Sequence, residues 1–143
     1  MALAQLNIAA MIEPLDSPRM ADFVARLAEV NAAAEQHDGF IWRLKDDGPG
    51  STSFRMFDDD MLIVNMSVWR DLESLRRFVI EHSGHRAVLA RRRDWFERPS
   101  EAMTVCWWVP DDHQPSVDEA ETMLLRLRTQ GPGADVFPFT YRD

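Results

Sequence analysis

The stretch MLIVNMSVWRDLESLRRFV (61–79) decides the fold. Its first nine residues alternate. Leu62, Val64, Met66 and Val68 share one face, and Met61, Ile63, Asn65, Ser67 and Trp69 share the other. That period of two is a strand's. Asp71 then stands at an N-cap, and Leu72, Leu75, Phe78 and Val79 recur at helical spacing. A strand apolar on both faces that feeds an amphipathic helix belongs to a sheet with cover on each side.

Working outward, residues 3–12 alternate in the same way, with Leu6, Ile8, Ala10 and Ile12 opposite Gln5, Asn7, Ala9 and Met11. Ser17-Pro18 opens a helix carrying Met20, Phe23, Val24, Leu27, Val30 and Ala34, and Gly39 ends it. FIWRLK (40–45) is a second strand. DDGPGS (46–51) is a turn by its chemistry, and SFRMF (53–57) is expected to form a hairpin with 61–69 across Asp58-Asp59-Asp60. Gly84 is the expected break in the helix after Asp71, and a second piece over about 85–97 carries Val88, Leu89, Trp95 and Phe96. MTVCWWVP (103–110) is the last clear strand. Ser116 with Glu119 is a capping box that opens a helix over about 116–130. The aromatic tail contains Pro138 and is at most an edge strand.

The order β-α-β-β-α-β with an extra C-terminal helix is α+β, ferredoxin-like, in a single domain over 1–143. Helices on one face of such a sheet leave the other face bare. Pairing of two copies through that face would cover it, so a homodimer is expected.

Composition bounds the function. The chain has 143 residues, 45% of them hydrophobic, and carries a formal net charge of −8, which disfavours a nucleic-acid partner. Lys45 is the only lysine among the 16 basic residues, a bias of high-GC bacterial genomes. No apolar run approaches the roughly 18 residues of a membrane span, and the N-terminus lacks a basic flank and a cleavage site, so the expected location is the cytoplasm. Cys106 is the only cysteine and sits in an apolar strand, as a buried small hydrophobe does.

Five tryptophans exceed what a minimal core needs. Trp42, Trp69, Trp95 and Trp108 are candidates for the walls of a ligand cavity, and Asn7 for a polar group within it. Asn65 and Arg43 interrupt apolar strands, as groups that hold a developing oxyanion would. Satisfied backbone groups or a solvent-facing edge explain such residues equally well. His85 has the titration range of a proton shuttle and the chemistry of an axial haem ligand. His82 and His85 are too few for a metal centre, and no nucleophile elbow, dinucleotide fingerprint or P-loop occurs. In the run Arg91 to Arg93, one arginine is expected to turn inward to a carboxylate.

The run NMSVWRDLESLRRFVIEHSGHRAVLARRRDWFER (65–98) resembles the core of a bacterial domain-of-unknown-function family, number thirty-two ninety-one. NIAAM (7–11), GFIWRL (39–44), WWVPDDHQPSVDEA (107–120) and LRTQGPGADVFPF (127–139) extend the resemblance over nearly the whole chain. Trp69, Leu75, Phe78, His85, Arg91 to Arg93, Trp95 and Phe96 meet the pattern, whereas Asp112 stands where the usual form has glycine.

The family is similar to the dimeric α/β-barrel, antibiotic-biosynthesis-monooxygenase-like superfamily. That resemblance implies ferredoxin-like subunits packed sheet to sheet. It also implies relatives among cofactor-free quinol monooxygenases, polyketide cyclases, haem-degrading monooxygenases and aldoxime dehydratases. Trp69 and His85 match the strand-end Trp and following His of several ligand cavities there, and Asn7 and Asn65 match polar cavity positions. Three readings follow. One is a cofactor-free, monooxygenase-like or isomerase-like enzyme, with His85 as acid–base group and Asn65 and Arg43 as oxyanion holders. The second is a haem protein with His85 as axial ligand. The third is a non-catalytic dimeric binding module.

Overall fold

The computed structural model describes residues 1–45 and 55–139. Strand β1 (Ala2–Ala10) leads through a 3-10 turn at Pro18–Met20 into α1 (Ala21–Gln36), then β2 (Phe40–Arg43). β3 (Leu62–Trp69) precedes α2 (Leu72–Glu81), α3 (Ser83–Ala90) and the single turn α4 (Arg92–Trp95). β4 (Thr104–Val109), α5 (Val117–Gln130) and β5 (Val136–Phe137) complete the chain. The five strands form one antiparallel sheet in the order β2-β3-β1-β4-β5. The first four repeat the ferredoxin-like order, and the aromatic tail adds β5 at one edge.

The caps read at Asp71 and Ser116 form in the structure, whereas the Ser17 side chain makes no cap hydrogen bond and α1 ends at Gln36, before Gly39. The Asp71 carboxylate accepts from the Ser74 N–H at 2.8 Å, and the Ser116 hydroxyl from the Glu119 N–H at 3.1 Å. The helix after Asp71 breaks at His82 and not at Gly84. His82 is extended (φ −78°, ψ 114°), and its Nδ1 accepts from the His85 N–H at 3.2 Å, so it caps α3. Gly84 is the second residue of the new helix, where a Cβ would come within 2.8 Å of the His82 ring.

The hairpin expected from 53–57 differs. Ser53 and Phe54 lie outside the described residues. Met56 forms only an isolated bridge with Asp59, because Phe57 and Asp58 take left-handed φ values of 56° and 54° and turn the chain at once. The expected turn at 46–51 also lies outside the described residues.

The two faces of the sheet are covered by different helices. α1, α2 and α3 lie over the face bearing Leu3 and Trp69, with Val30, Ala34, Leu75 and Phe78 in that core. The opposite face bears Ala4, Leu6, Val64, Met66, Val68 and Val105, and packs against Ala120, Leu124 and Leu127 of α5. Leu6, Val68, Val105 and Leu124 are fully buried within the single chain. The face that the sequence left for a second copy is therefore closed by the chain's own C-terminal helix. The adjacent tryptophans divide as strand geometry requires. Trp107 is buried under α5 and donates from Nε1 to Glu119 Oε2 at 2.9 Å, while Trp108 is half-exposed beside Phe137.

Candidate functional site

Three cross-strand pairs build the site. In the β1–β3 register Leu3 lies opposite Trp69, Gln5 opposite Ser67, and Asn7 opposite Asn65. Alternation puts all six on one face, the face beneath α1 to α3. Four of them are polar, set in a sheet whose other described positions are mostly aliphatic. They form a continuous network. Gln5 Nε2 donates to Ser67 Oγ at 2.7 Å and to Asn65 Oδ1 at 3.2 Å. Asn7 Nδ2 donates to Asn65 Oδ1 and to Gln5 Oε1, each at 3.3 Å. Trp69 Nε1 donates to Ser67 Oγ at 2.9 Å.

Above this floor lies a cavity of about 350 Å³, within the range of small-molecule sites. Val30, Leu75, Phe78 and Val88 make its roof apolar, and His85 joins them from α3. Phe78 stacks on Trp69 with 5.5 Å between ring centroids, and the His85 ring meets Phe78 edge-on at 5.9 Å. Burial, helped by the neighbouring His82, pushes the His85 pKa down from 6.5 to about 4. The imidazole is thus neutral at neutral pH, a base and not a shuttle that changes charge near pH 6.5. His82 does not share a helical face with it, because the helix breaks between them.

Arg43 also lines the cavity. Its Nε donates to Glu35 Oε1 at 2.6 Å, and Lys45 joins the same carboxylate at 3.0 Å. The two cations, Arg43 first, hold the Glu35 carboxyl below the usual carboxylate range. Arg43 Nη1 reaches the Leu44 carbonyl at 3.4 Å.

The expected site residues therefore separate. Asn7, Arg43, Asn65, Trp69 and His85 line one cavity, and Trp42, Trp95 and Trp108 do not. Trp42 lies opposite Val68, and strand alternation sends it to the α5 side while its neighbour Arg43 faces the cavity. Trp95 is 1% exposed in a separate cluster against Phe23 at 5.3 Å, beneath the Arg91 guanidinium. Arg91 is the arginine of the run that meets carboxylates, but it pairs with Asp22 and Asp94 at the surface and does not turn inward. Gln5, the hub of the network, is the member that sequence reading did not single out. Its signal was only a polar residue two before Asn7, and its meaning depends on a register that no local pattern encodes. Cys106 is fully buried and its thiol is pushed up to about 12, so it stays protonated. Among the described residues no three His, Cys, Asp or Glu side chains group to hold a metal ion.

A family of domains of unknown function, DUF3291, matches residues 2–143. The chain belongs to the DUF3291 family.

Several solved structures share the fold of this DUF3291 chain. SnoaB of Streptomyces nogalater, described as a cofactor-independent oxygenase, is 17% identical with a TM-score of 0.52, over 76% of this chain and 93% of SnoaB. A conserved protein of Methanosarcina mazei Go1 is 9% identical with a TM-score of 0.57, over 77% and 94% of the two chains. The NE2512 protein of Nitrosomonas europaea, of unknown function, is 13% identical with a TM-score of 0.52, over 80% and 95%. At these identities the likeness is one of fold. None of the curated proteins matches the DUF3291 chain. Among its described residues no helix is long and apolar enough to cross a membrane.

Proposed function

We propose that the chain is a small-molecule enzyme that removes a proton from an apolar or aromatic substrate in this cavity, without an organic cofactor. The observation that carries the reading is which groups of the floor stay unoccupied. Asn65 Oδ1 accepts from both Gln5 and Asn7, and Ser67 Oγ accepts from both Gln5 and Trp69. Their own donors, the Asn65 amide N–H groups and the Ser67 O–H, have no acceptor among the described residues. Fixed donors facing a largely apolar cavity stabilise an oxygen that gains negative charge, and do so without reorganising.

The neutral His85 imidazole on the same cavity is the base. A phenol, enol or activated C–H of the substrate gives its proton to the ring. The electron pair moves onto the substrate oxygen, where Asn65, Ser67 and Arg43 hold it. The developing anion in turn raises the affinity of His85 for the proton. From that anion, isomerisation, cyclisation or attack by dioxygen can proceed. The fold shared with SnoaB makes oxygenation the first activity to test. A homodimer through the sheet face forms no part of this reading, because α5 already covers that face.

The test is dioxygen uptake with a panel of polycyclic phenols and quinols. Asn65→Ala and His85→Ala are each expected to lower turnover about 10²-fold or more. Unchanged turnover in both variants would refute the assignment. Neutral imidazole is also the form that ligates haem iron, so the haem reading applies to the same cavity. Titration with hemin separates the two. A Soret shift that His85→Ala abolishes establishes haem binding, and no shift removes it.

A further inference from the structure

The cavity has a second polar end, which the sheet floor does not explain. Arg92 and Arg93 open α4, line the cavity and are exposed, so they stand on its rim. Eight of the described arginines form ion pairs, and Arg76, Arg86, Arg98 and Arg126, which do not, lie outside the cavity lining. Arg43 pairs with Glu35, Arg70 with Asp38, Arg77 with Glu73, and Arg91 with Asp22 and Asp94. Arg92 and Arg93 form no ion pair among the described residues, and Arg92 donates from Nη1 to the Leu89 carbonyl at 2.7 Å. Glu97 lines the same cavity and pairs with neither. The surroundings of Arg93 are cationic. Desolvation and then its neighbours Arg98 and Arg92 lower its pKa.

Among the described residues Arg92 and Arg93 are the arginines without an ion pair that line the cavity, and they stand side by side there. They repel each other unless an anion sits between them, and they stand where an apolar cavity meets water. A guanidinium pair offers the planar, forked donors that fit a two-oxygen anion.

We infer that Arg92 and Arg93 form an anion-binding rim, and that the ligand is an amphipathic acid whose carboxylate or similar anionic group lies at the rim while its aromatic body fills the cavity. The inference rests on the reading of the cavity as a small-molecule site. It adds polarity to that ligand: an uncharged oxygen at the Asn65 end and a permanent negative charge at the other.

Two fluorescent probes of nearly the same body test it. 1-Anilinonaphthalene-8-sulfonate carries an anion, and N-phenyl-1-naphthylamine does not. The intact chain is expected to bind the sulfonate about tenfold more tightly at low ionic strength, with the preference shrinking as salt screens the rim. R92Q/R93Q should weaken sulfonate binding about tenfold and leave the neutral amine within about twofold. R76Q/R126Q removes the same charge from exposed positions on α2 and α5 and should change neither. Thermal melting of each variant confirms that it folds. Equal affinity for the two probes, with no response to R92Q/R93Q, overturns the anionic rim and leaves the cavity reading standing. Failure of both probes to bind overturns the cavity reading, and the rim with it.

Discussion

Ser67 shows how much one hydroxyl can organise. Its oxygen accepts from the Gln5 amide and from the Trp69 indole, and both donors are buried. Truncation to alanine strands two N–H groups beneath the helices, so Ser67→Ala is expected to destabilise the chain by about 1–3 kcal/mol in urea unfolding. Ser67→Thr keeps the acceptor and should cost less. His85 makes a prediction of the opposite kind, through its proton. An unfolded histidine binds a proton at about pH 6.5, whereas folded His85 resists one until about pH 4. Above pH 6.5 neither state is protonated and His85 adds no pH dependence. Between 6.5 and 4 only the unfolded state gains the proton, so stability falls, and below 4 it levels. His85 is not fully enclosed, which reduces the loss to about 2 kcal/mol. Urea unfolding at a series of pH values, compared with His85→Gln, should show that loss in the parent and not in the variant.

Among the elements, α5 departs furthest from a plain ferredoxin-like subunit. Leu124 is fully buried between it and the sheet. Leu124→Ala is expected to cost about 2–5 kcal/mol, read from the denaturation midpoint, and the exposed aliphatic surface should then make the chain self-associate. The helix itself was legible in advance, because Ser116 and Glu119 announce its start and Gly131 its end. Its position was not. Nothing in the spacing of Ala120, Leu124 and Leu127 says which face of the sheet they meet, and both faces looked equally apolar.

The same limit governs the site. Asn65 and Asn7 stood out because each breaks an alternating strand, and His85 because of its chemistry. Their meeting depends on the long-range register of β1 on β3 and on the helix break at His82. Among the tryptophans Trp69 reached the cavity, and Trp42 misled for a local reason. Trp42 and Arg43 are sequence neighbours and therefore point to opposite faces.

At the scale of the whole molecule, one sheet separates two different interiors. The side under α5 is closed and aliphatic. The side under α1 to α3 is open enough to hold a cavity with a polar floor. Light scattering at micromolar concentration is expected to return the mass of one chain, because the aliphatic face is already covered. A stable dimer would have to use another surface, such as that around Ile41 or Trp108, which are 46% and 37% exposed.

The connection from β4 to α5 spans only residues 110–116, so the cover is tethered to the surface it covers. A cover supplied by a second molecule departs on dilution, and melting then depends on how much protein is in the tube. A tethered cover is always present at high local concentration. The melting temperature of this chain should accordingly stay constant over a hundredfold dilution, and the shielding of its sheet should survive the low copy numbers at which a paired sheet would come apart.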